Sequence, residues 1–535
     1  MTWLSDGFRP YVALVLFCLA LYLPGLAAVP PLDRDEARFA QATRQMVETG
    51  DYVHIFFQDE ARTKKPVGIH WMQAASVRML DAERAIWAYR LPSVLGVLAA
   101  ALLTFAYGTT LVGRQGALLG AAFLAAALVA VLEAHQAKTD AMLLACVVAA
   151  QGTLARFYLR GKAGAVDTLL FWLAQGVGIL IKGPIVPLVT VLTMAALGIA
   201  DRRIGWARSM RVLSGLVIVA AIVGPWAAAV SAGGNGFIGK AIETDLLPKL
   251  IGGHESHGAW PGYYLLLATL TLWPASLFVP AAFVRAWRGR ATPALRFLLA
   301  WVIPAWVVFE LVPTKLPHYT LPLYPALALL AGWAVVNGDV LLKGRGTRYW
   351  GWAWGLVGAG LAGAAIAAPI LMGDGLSLWS APAALAALAA AVAPPFLLRR
   401  GRATDAALAA LGLALVTYGA IFAGVLPGLE RMWISQGVAQ AVERAGTRWP
   451  VATAGYREPS LVFLLGTETL LTDGPGAARH LLASPDALAV VESREDEAFL
   501  ATLAGRPAET LATLHGFNYS RGREQALRLY RLAAP

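Results

Sequence analysis

The sequence predicts a polytopic α-helical membrane protein that ends in a small soluble α/β domain. Three observations predict it. The 535 residues are 58% hydrophobic and 14% charged, whereas a soluble globular chain carries about 25% charged residues. Apolar runs of roughly 20 residues recur along the chain, each long enough to cross a bilayer at helical rise. Beyond Val425 the composition turns polar. A membrane β-barrel would instead show short alternating segments. The formal net charge of +11 would suggest nucleic acid in a soluble protein. Here the arginines gather in short loops between apolar runs, the positive-inside pattern, so no nucleic-acid partner is expected.

Taken in order, the apolar runs predict membrane helices at about 11–29, 91–112, 116–134, 139–158, 168–182, 185–200, 212–231, 262–283, 294–312, 319–337, 349–372, 378–398 and 404–426, about 13 in all. Only Arg9 precedes the first run as a basic residue, and no clear small-residue cleavage site follows, so this run is read as a retained helix. Alternate loops carry Arg114; Arg156, Arg160 and Lys162; Arg202, Arg203, Arg208 and Arg211; Arg285, Arg288 and Arg290; Lys343, Arg345 and Arg348; and Arg399, Arg400 and Arg402. One orientation fits them all, with the N-terminus cytoplasmic. After the first outer loop, the outer side holds few basic residues: Lys138, Lys182, Lys240, Lys249 and Lys315. Each of these needs a reason, and an anionic ligand is the natural one. Cys18 and Cys146 lie inside apolar runs and are expected as buried thiols without a disulfide.

Residues 1–426 are read as the membrane module and 427–535 as the soluble domain. In that domain Trp449–Ala454, Ser460–Leu465 and Ala487–Glu492 look like strands, and Ile434–Ala445 and Gly476–Leu482 like helices. With an odd number of spans the domain lies on the side of the first outer loop.

That loop, residues 30–80, concentrates the charges. Apolar positions Phe39, Met46 and Val47 fall at helical spacing before Gly50, and Ile69, Met72 and Val77 follow Pro66. Two amphipathic juxtamembrane helices are therefore expected, of a kind that could lie flat in the interface. Asp33, Arg34, Asp35, Glu36 and Arg38 sit directly after the first span. A carboxylate pair there can activate a hydroxyl or hold a metal; equally, the acids can serve a helix N-terminus. Lys64 and Lys65 before Pro66 can bind a phosphate or snorkel to lipid headgroups. Lys182-Gly183-Pro184 and Lys315-Leu316-Pro317-His318-Tyr319 mark outer helix ends, where the prolines also bend the chain. His135, Lys138 and Asp140 form a further outer cluster, for which a plain Lys–Asp pair is the alternative. His254, Glu255 and His257 have the residue types of a metal site without a diagnostic spacing.

Several of these residues occur together, in order, in a known group. Asp35-Glu36-Ala37-Arg38-Phe39-Ala40, Glu48-Thr49-Gly50-Asp51-Tyr52, Lys65-Pro66, Trp71, Tyr89-Arg90-Leu91-Pro92-Ser93, Asp140, Lys182-Gly183-Pro184 and Lys315-Leu316-Pro317-His318-Tyr319 resemble the polyprenyl-phosphate-sugar-dependent membrane glycosyltransferases of the GT-C fold. The likeness is greatest to the bacterial lipid A aminoarabinose transferases, with protein O-mannosyltransferases more distant. It covers residues from about 1 to 340. Gly455–Ser460 and Gly516–Tyr519 resemble the soluble domain of the bacterial members more weakly.

The resemblance implies a bacterial inner-membrane enzyme with a periplasmic active site and a periplasmic C-terminal domain. It would use a polyprenyl-phosphate-sugar donor and a lipid A or other envelope glycolipid acceptor. Asp35 looks like the catalytic aspartate, with Glu36 beside it. Arg38 and Lys65, with Lys64, match donor-phosphate positions. Asp140, Lys182, His257, Lys315, His318 and Tyr319 are expected around the donor and acceptor. Relatives often carry Glu where this chain has Lys64, which removes a potential metal ligand. No metal is assigned; a divalent ion near Glu36 and His257 is the one cofactor position left open. Two other readings are a protein O-mannosyltransferase with a Ser/Thr acceptor and a secondary transporter or lipid flippase. Transporters place their ionisable groups near the midplane, whereas here they sit at outer helix ends.

Overall fold

A computed structural model describes residues 6–161, 164–232, 239, 258–338, 340–373, 375–447, 449–484 and 486–533. The chain is a multi-pass membrane protein: eight described helices are long and apolar enough to cross a bilayer. The first part runs α1 (Arg9–Tyr22), α2 (Asp35–Thr49), a small hairpin β1 (Phe56–Phe57) and β2 (Glu60–Ala61), α3 (Gly68–Leu80), α4 (Ile86–Ala125), α5 (Leu128–Ala134), α6 (Asp140–Arg160), α7 (Ala165–Lys182), α8 (Ile185–Asp201) and α9 (Val212–Ala232). It continues with α10 (Tyr263–Thr271), α11 (Val279–Arg288), α12 (Pro293–Leu311), α13 (Tyr324–Val336), α14 (Arg345–Met372), α15 (Ser380–Arg399) and α16 (Ala403–Ala420).

Helical segments occupy every expected span; the gap expected between 91–112 and 116–134 is a break inside one long helix, and the span expected over 262–283 is divided. The helical path of α4 breaks at Gly113, whose φ of 76° favours glycine, beside the charged Arg114. The stretch expected as one helix over 262–283 divides at Trp273-Pro274 into α10 and α11. α4 and α13 meet almost backbone to backbone, because a Cβ on Gly332 would stand 2.3 Å from the Gly116 carbonyl oxygen.

The first outer loop carries the two expected helices, α2 and α3. α2 begins with Asp35 and Glu36, acids that favour a helix N-terminus, and stops at Gly50 with φ 73°. Most of this helix is covered by protein. Glu36, Ala37, Phe39, Ala40, Gln41, Ala42, Thr43, Arg44, Met46 and Val47 are all buried. The helix is covered by α3 on one side and by the soluble domain on another. Its Gln41 and Arg44 donate to Thr467 Oγ1 and the Phe463 carbonyl, each at 2.7 Å.

The soluble domain contains α17 (Ile434–Ala445), β3 (Ala452–Ala454), α18 (Pro459–Leu465), β4 (Leu470–Thr472), α19 (Gly474–Ala483), β5 (Ala489–Glu492), α20 (Asp496–Thr502), β6 (Ala508–Asn518) and β7 (Arg523–Leu532). The sheet order is β4-β3-β5-β7-β6. β3 pairs in parallel with β4 and β5, and β7 is antiparallel to both β5 and β6. Separate apolar clusters cover the two faces. The strand expected at Ser460–Leu465 is helix α18. Pro459 takes the first helical position and Gly466, with φ 123°, ends the turn. Ser460 to Phe463 are all buried, so the run shows no helical periodicity.

Candidate active site

The start of α2 brings the first group of charges together. Asp35 and Arg38 are exposed at the first turn. Arg62, between β2 and α3, sets its guanidinium 5.6 Å from the centre of the Phe39 ring. Burial, followed by the charge of Arg38, lowers the Arg62 pKa to about 10, while Asp35 opposes the change. Asp35 also acts on Lys138, reached through α5 and the turn after it. Burial pulls the Lys138 ammonium down, but Glu133, Asp140 and Asp35 outweigh it and hold it above its usual value. Asp35 thus acts on cations from two other parts of the chain, Arg62 and Lys138.

A second group adjoins the first through Lys138. Its Nζ lies 2.8 Å from Glu133 Oε1, and Lys182 Nζ lies 2.5 Å from Asp140 Oδ1. His318 bridges the two pairs, with Nδ1 3.7 Å from Glu133 and Nε2 3.7 Å from Asp140. Burial pushes the imidazole well below its usual range. Asp140 opposes this, and Lys138, Lys182 and Lys65 add to the push. His318 is therefore neutral, and Lys65 belongs to the same field. Tyr319 completes the group: Lys182 lies 5.4 Å from its ring centre and the His318 ring 5.1 Å away.

Two expectations change here. Glu36, expected beside Asp35 as a catalytic acid, is 1% exposed. It forms a bidentate pair with Arg90 at 2.8 and 2.9 Å, and it accepts from the Leu32 and Ala137 N–H groups at 2.8 Å. Its oxygens are filled, which leaves no open position for a reacting proton or a metal. Arg90 also holds the carbonyls of Leu26, Val29 and Pro30, so this pair fastens the exit of α1. Lys315, expected in the pocket, is buried and donates to the Ala259 and Val312 carbonyls, both at 2.8 Å. It staples its turn rather than facing a ligand. His257 lies outside the described residues, as do His254 and Glu255. Lys64 is exposed beside the half-buried Lys65.

Two members of the site escaped the sequence reading. Glu133 is 2% exposed, and its Oε2 has no hydrogen-bond partner among the described residues. Its signal was a carboxylate inside an apolar run. Arg62 was a further outer-side arginine. His135, by contrast, is structural: its ring nitrogens lie 2.8 and 2.9 Å from the carbonyls of Val131 and Pro24. No group of three or more His, Cys, Asp or Glu side chains among the described residues is arranged to hold a metal.

The soluble domain reaches the edge of this site. The Asp33 N–H donates to the Tyr519 hydroxyl at 2.7 Å, and Asp33 Oδ1 accepts from the Ser460 N–H at 3.1 Å. The Arg34 guanidinium donates to the Ser520 carbonyl. Burial raises the Asp33 carboxyl to about 6; the Ser460 contacts and Arg38 oppose the rise, and Glu458 adds to it.

Comparison with known proteins agrees with this architecture. A family model described as dolichyl-phosphate-mannose-protein mannosyltransferase matches residues 64–228. The undecaprenyl phosphate-alpha-4-amino-4-deoxy-L-arabinose arabinosyl transferase of Aeromonas salmonicida is 29% identical over 354 residues, covering 65% of this chain and 63% of the relative. The protein of the same name from Yersinia pestis (strain Pestoides F) is 28% identical over 328 residues, covering 59% and 57%. The matches thus span somewhat under two thirds of these relatives' lengths. The crystal structure of ArnT from Cupriavidus metallidurans bound to undecaprenyl phosphate superposes with a TM-score of 0.74, at 20% identity and 98% coverage of both chains. The archaeal oligosaccharyltransferase AglB from Archaeoglobus fulgidus follows at 0.52, with 12% identity and coverage of 91% of this chain and 70% of AglB. The chain has the ArnT-like GT-C fold that the motifs led one to expect.

Proposed function

We propose that this chain is an inner-membrane glycosyltransferase. It moves a sugar from a polyprenyl-phosphate donor to a lipid A-type or other envelope glycolipid at the periplasmic face. The observation that carries the reading is the start of α2. There Asp35 is exposed among Arg38, Arg62 and Lys138, on the fold of a protein crystallised with undecaprenyl phosphate. The names of the similar arabinosyl transferases support the donor class.

In this reading the acceptor oxygen bonds to the anomeric carbon as the bond from that carbon to the phosphate oxygen breaks. The electron pair leaves with the phosphate. Arg38 and Lys65 stabilise the growing negative charge, and Arg62 and Lys138 extend the same field. A hydroxyl acceptor gives its proton to Asp35. A phosphate acceptor arrives ionised, and Asp35 then stabilises the positive character of the sugar. Single displacement inverts the anomeric centre. Asp140, Lys182, His318 and Tyr319 line the adjoining part of the donor and acceptor pocket. With the N-terminus cytoplasmic, the soluble domain shares the periplasmic side with the first loop.

The test is turnover by purified protein in lipid vesicles with a panel of polyprenyl-phosphate sugars and envelope glycolipids. Release of free polyprenyl phosphate is the readout. Asp35→Asn should bind donor and lose nearly all turnover, whereas Lys65→Ala should raise the donor KM. Full turnover by Asp35→Asn would remove that residue from the reaction. The match of residues 64–228 to the mannosyltransferase model favours one second reading, a Ser/Thr peptide acceptor. Glycopeptide formed in the same assay, with no glycolipid product, would select it.

A further inference from the structure

The two residues that precede Asp35 are held from the far end of the chain. Asp33 bonds to Tyr519 through its backbone and to Ser460 through its carboxylate, and Arg34 bonds to Ser520. Arg34 itself stands at φ 66°, ψ −107°, a conformation that L residues rarely adopt. Such backbone is strained and persists where its surroundings over-determine it. On the other side of Asp35, the Glu36–Arg90 pair fastens the chain to the membrane module. Asp35 is therefore suspended between two clamps, one from each part of the protein.

The clamp from the soluble domain is itself built. Glu458, just ahead of α18, accepts from Asn518 Nδ2 at 2.8 Å. Asn518 also donates to Gln525 Oε1 at 3.1 Å, and its Oδ1 receives the Arg521 N–H at 3.1 Å. These bonds fix the turn between β6 and β7 that carries Tyr519 and Ser520. The Tyr519 ring packs edge-on to Trp433 with centres 6.3 Å apart. Both donors and acceptors of the clamp are thus locked before they reach the loop.

We infer that Tyr519, with the Ser460 N–H and the Ser520 carbonyl, positions Asp35 for reaction, so that the soluble domain is a working part of the active site. The inference rests on the proposed role of Asp35. Tyr519 does not touch the reacting atoms; it sets the backbone from which the Asp35 carboxylate projects. Losing the Tyr519 hydroxyl leaves the Asp33 N–H without its partner and lets residues 33–35 drift. A displacement of about 1 Å at a reacting group costs up to about 100-fold in rate. The donor-phosphate cations Arg38 and Lys65 are untouched, so donor binding is spared.

The experiment compares Tyr519→Phe, Asp33→Ala, Asp33→Asn and Asp35→Asn in the full chain in vesicles. It measures kcat and KM for the donor, with thermal melting as a check on folding. Tyr519→Phe should lower kcat between about 10- and 100-fold and leave KM within about twofold. Asp33→Ala should behave alike. Asp33→Asn, which keeps the acceptor for Ser460, should recover most of the rate. In an Asp35→Asn background Tyr519→Phe should cause no further loss. Normal kcat in folded Tyr519→Phe and Asp33→Ala, with Asp35→Asn inactive, overturns the positioning role and leaves the proposed function standing. An additive loss in the Asp35→Asn background overturns it too. Full activity in Asp35→Asn overturns the catalytic assignment and this inference together.

Discussion

Replacing Glu36 with alanine should unfold the outer end of the membrane module. Glu36 and Arg90 have no exposed side-chain surface. All five Arg90 N–H groups are used, two on Glu36 and three on carbonyls at the exit of α1. Removing the carboxylate leaves a buried guanidinium without a counter-charge, a loss of about 3–5 kcal/mol. It also strips the Leu32 and Ala137 N–H groups of their acceptor, and each unsatisfied group costs about 1–3 kcal/mol. Glu36→Gln should lose a similar amount despite its shape, because its amide would turn a donor toward Arg90 or Ala137. Pairing Glu36→Leu with Arg90→Met removes both charges and should recover only part of the loss. Three carbonyls and two N–H groups would still lack partners. Unfolding free energies from denaturing-detergent titration of the protein in mixed micelles would compare the three variants with wild type. A Glu36→Ala protein within about 1 kcal/mol of wild type, well short of the cost expected for an uncompensated buried charge, would refute the reasoning.

Other outcomes follow from the same contacts. Asp33 has its carboxyl raised by burial from the ordinary 3.8 to about 6. Its protonated form is therefore favoured by folding, and the charged form weakens the fold as pH rises from 3.8 through about 6. Asp33→Asn should raise the melting temperature at pH 8 and leave it nearly unchanged at pH 4, which parallel melts would check. Gly332→Val should separate α4 from α13, since the nearest atom to its new Cβ is backbone at 2.3 Å. A loss of about 1–3 kcal/mol is expected from overpacking, read as a lower melting temperature in detergent. Lys182→Ala should free Asp140, adding uncompensated negative charge beside His318. Given the proposed function, this weakens binding of an anionic donor, measurable as a raised donor KM.

The membrane module was legible because its signal repeats. Every expected span contains helix, since apolar length needs only local composition to be read. The charged loop was legible as the proposed ligand site because Asp35, Arg38 and Lys65 stand together on a side otherwise poor in basic residues. What local reading could not supply was which charges are consumed by the protein itself. Glu36 and Asp35 are adjacent and chemically alike, yet one turns inward to Arg90 and the other outward. Only the α4 side of the contact separates them. Lys315 looked like Lys182 in motif and position, but the carbonyls it binds are set by the fold. In the soluble domain α18 was read as a strand because burial on all sides hides helical period. The β6–β7 hairpin went unseen because charged residues such as Glu509, Arg523 and Arg528 interrupt its apolar alternation.

The Asp33–Tyr519 bond joins residues 486 positions apart. A ribosome adding about 5–20 residues each second finishes Tyr519 roughly 24 to 97 s after Asp33, by the same rate. Throughout that interval the acidic loop has emerged, the neighbouring helices are being laid down, and the hairpin that holds the loop has not been made. On the proposed role of Asp35, the protein is thus assembled with its reactive carboxylate slack, and it tightens only when the final strands pair. Chains cut short by premature termination would carry the whole motif set and the full membrane bundle, and still stand idle.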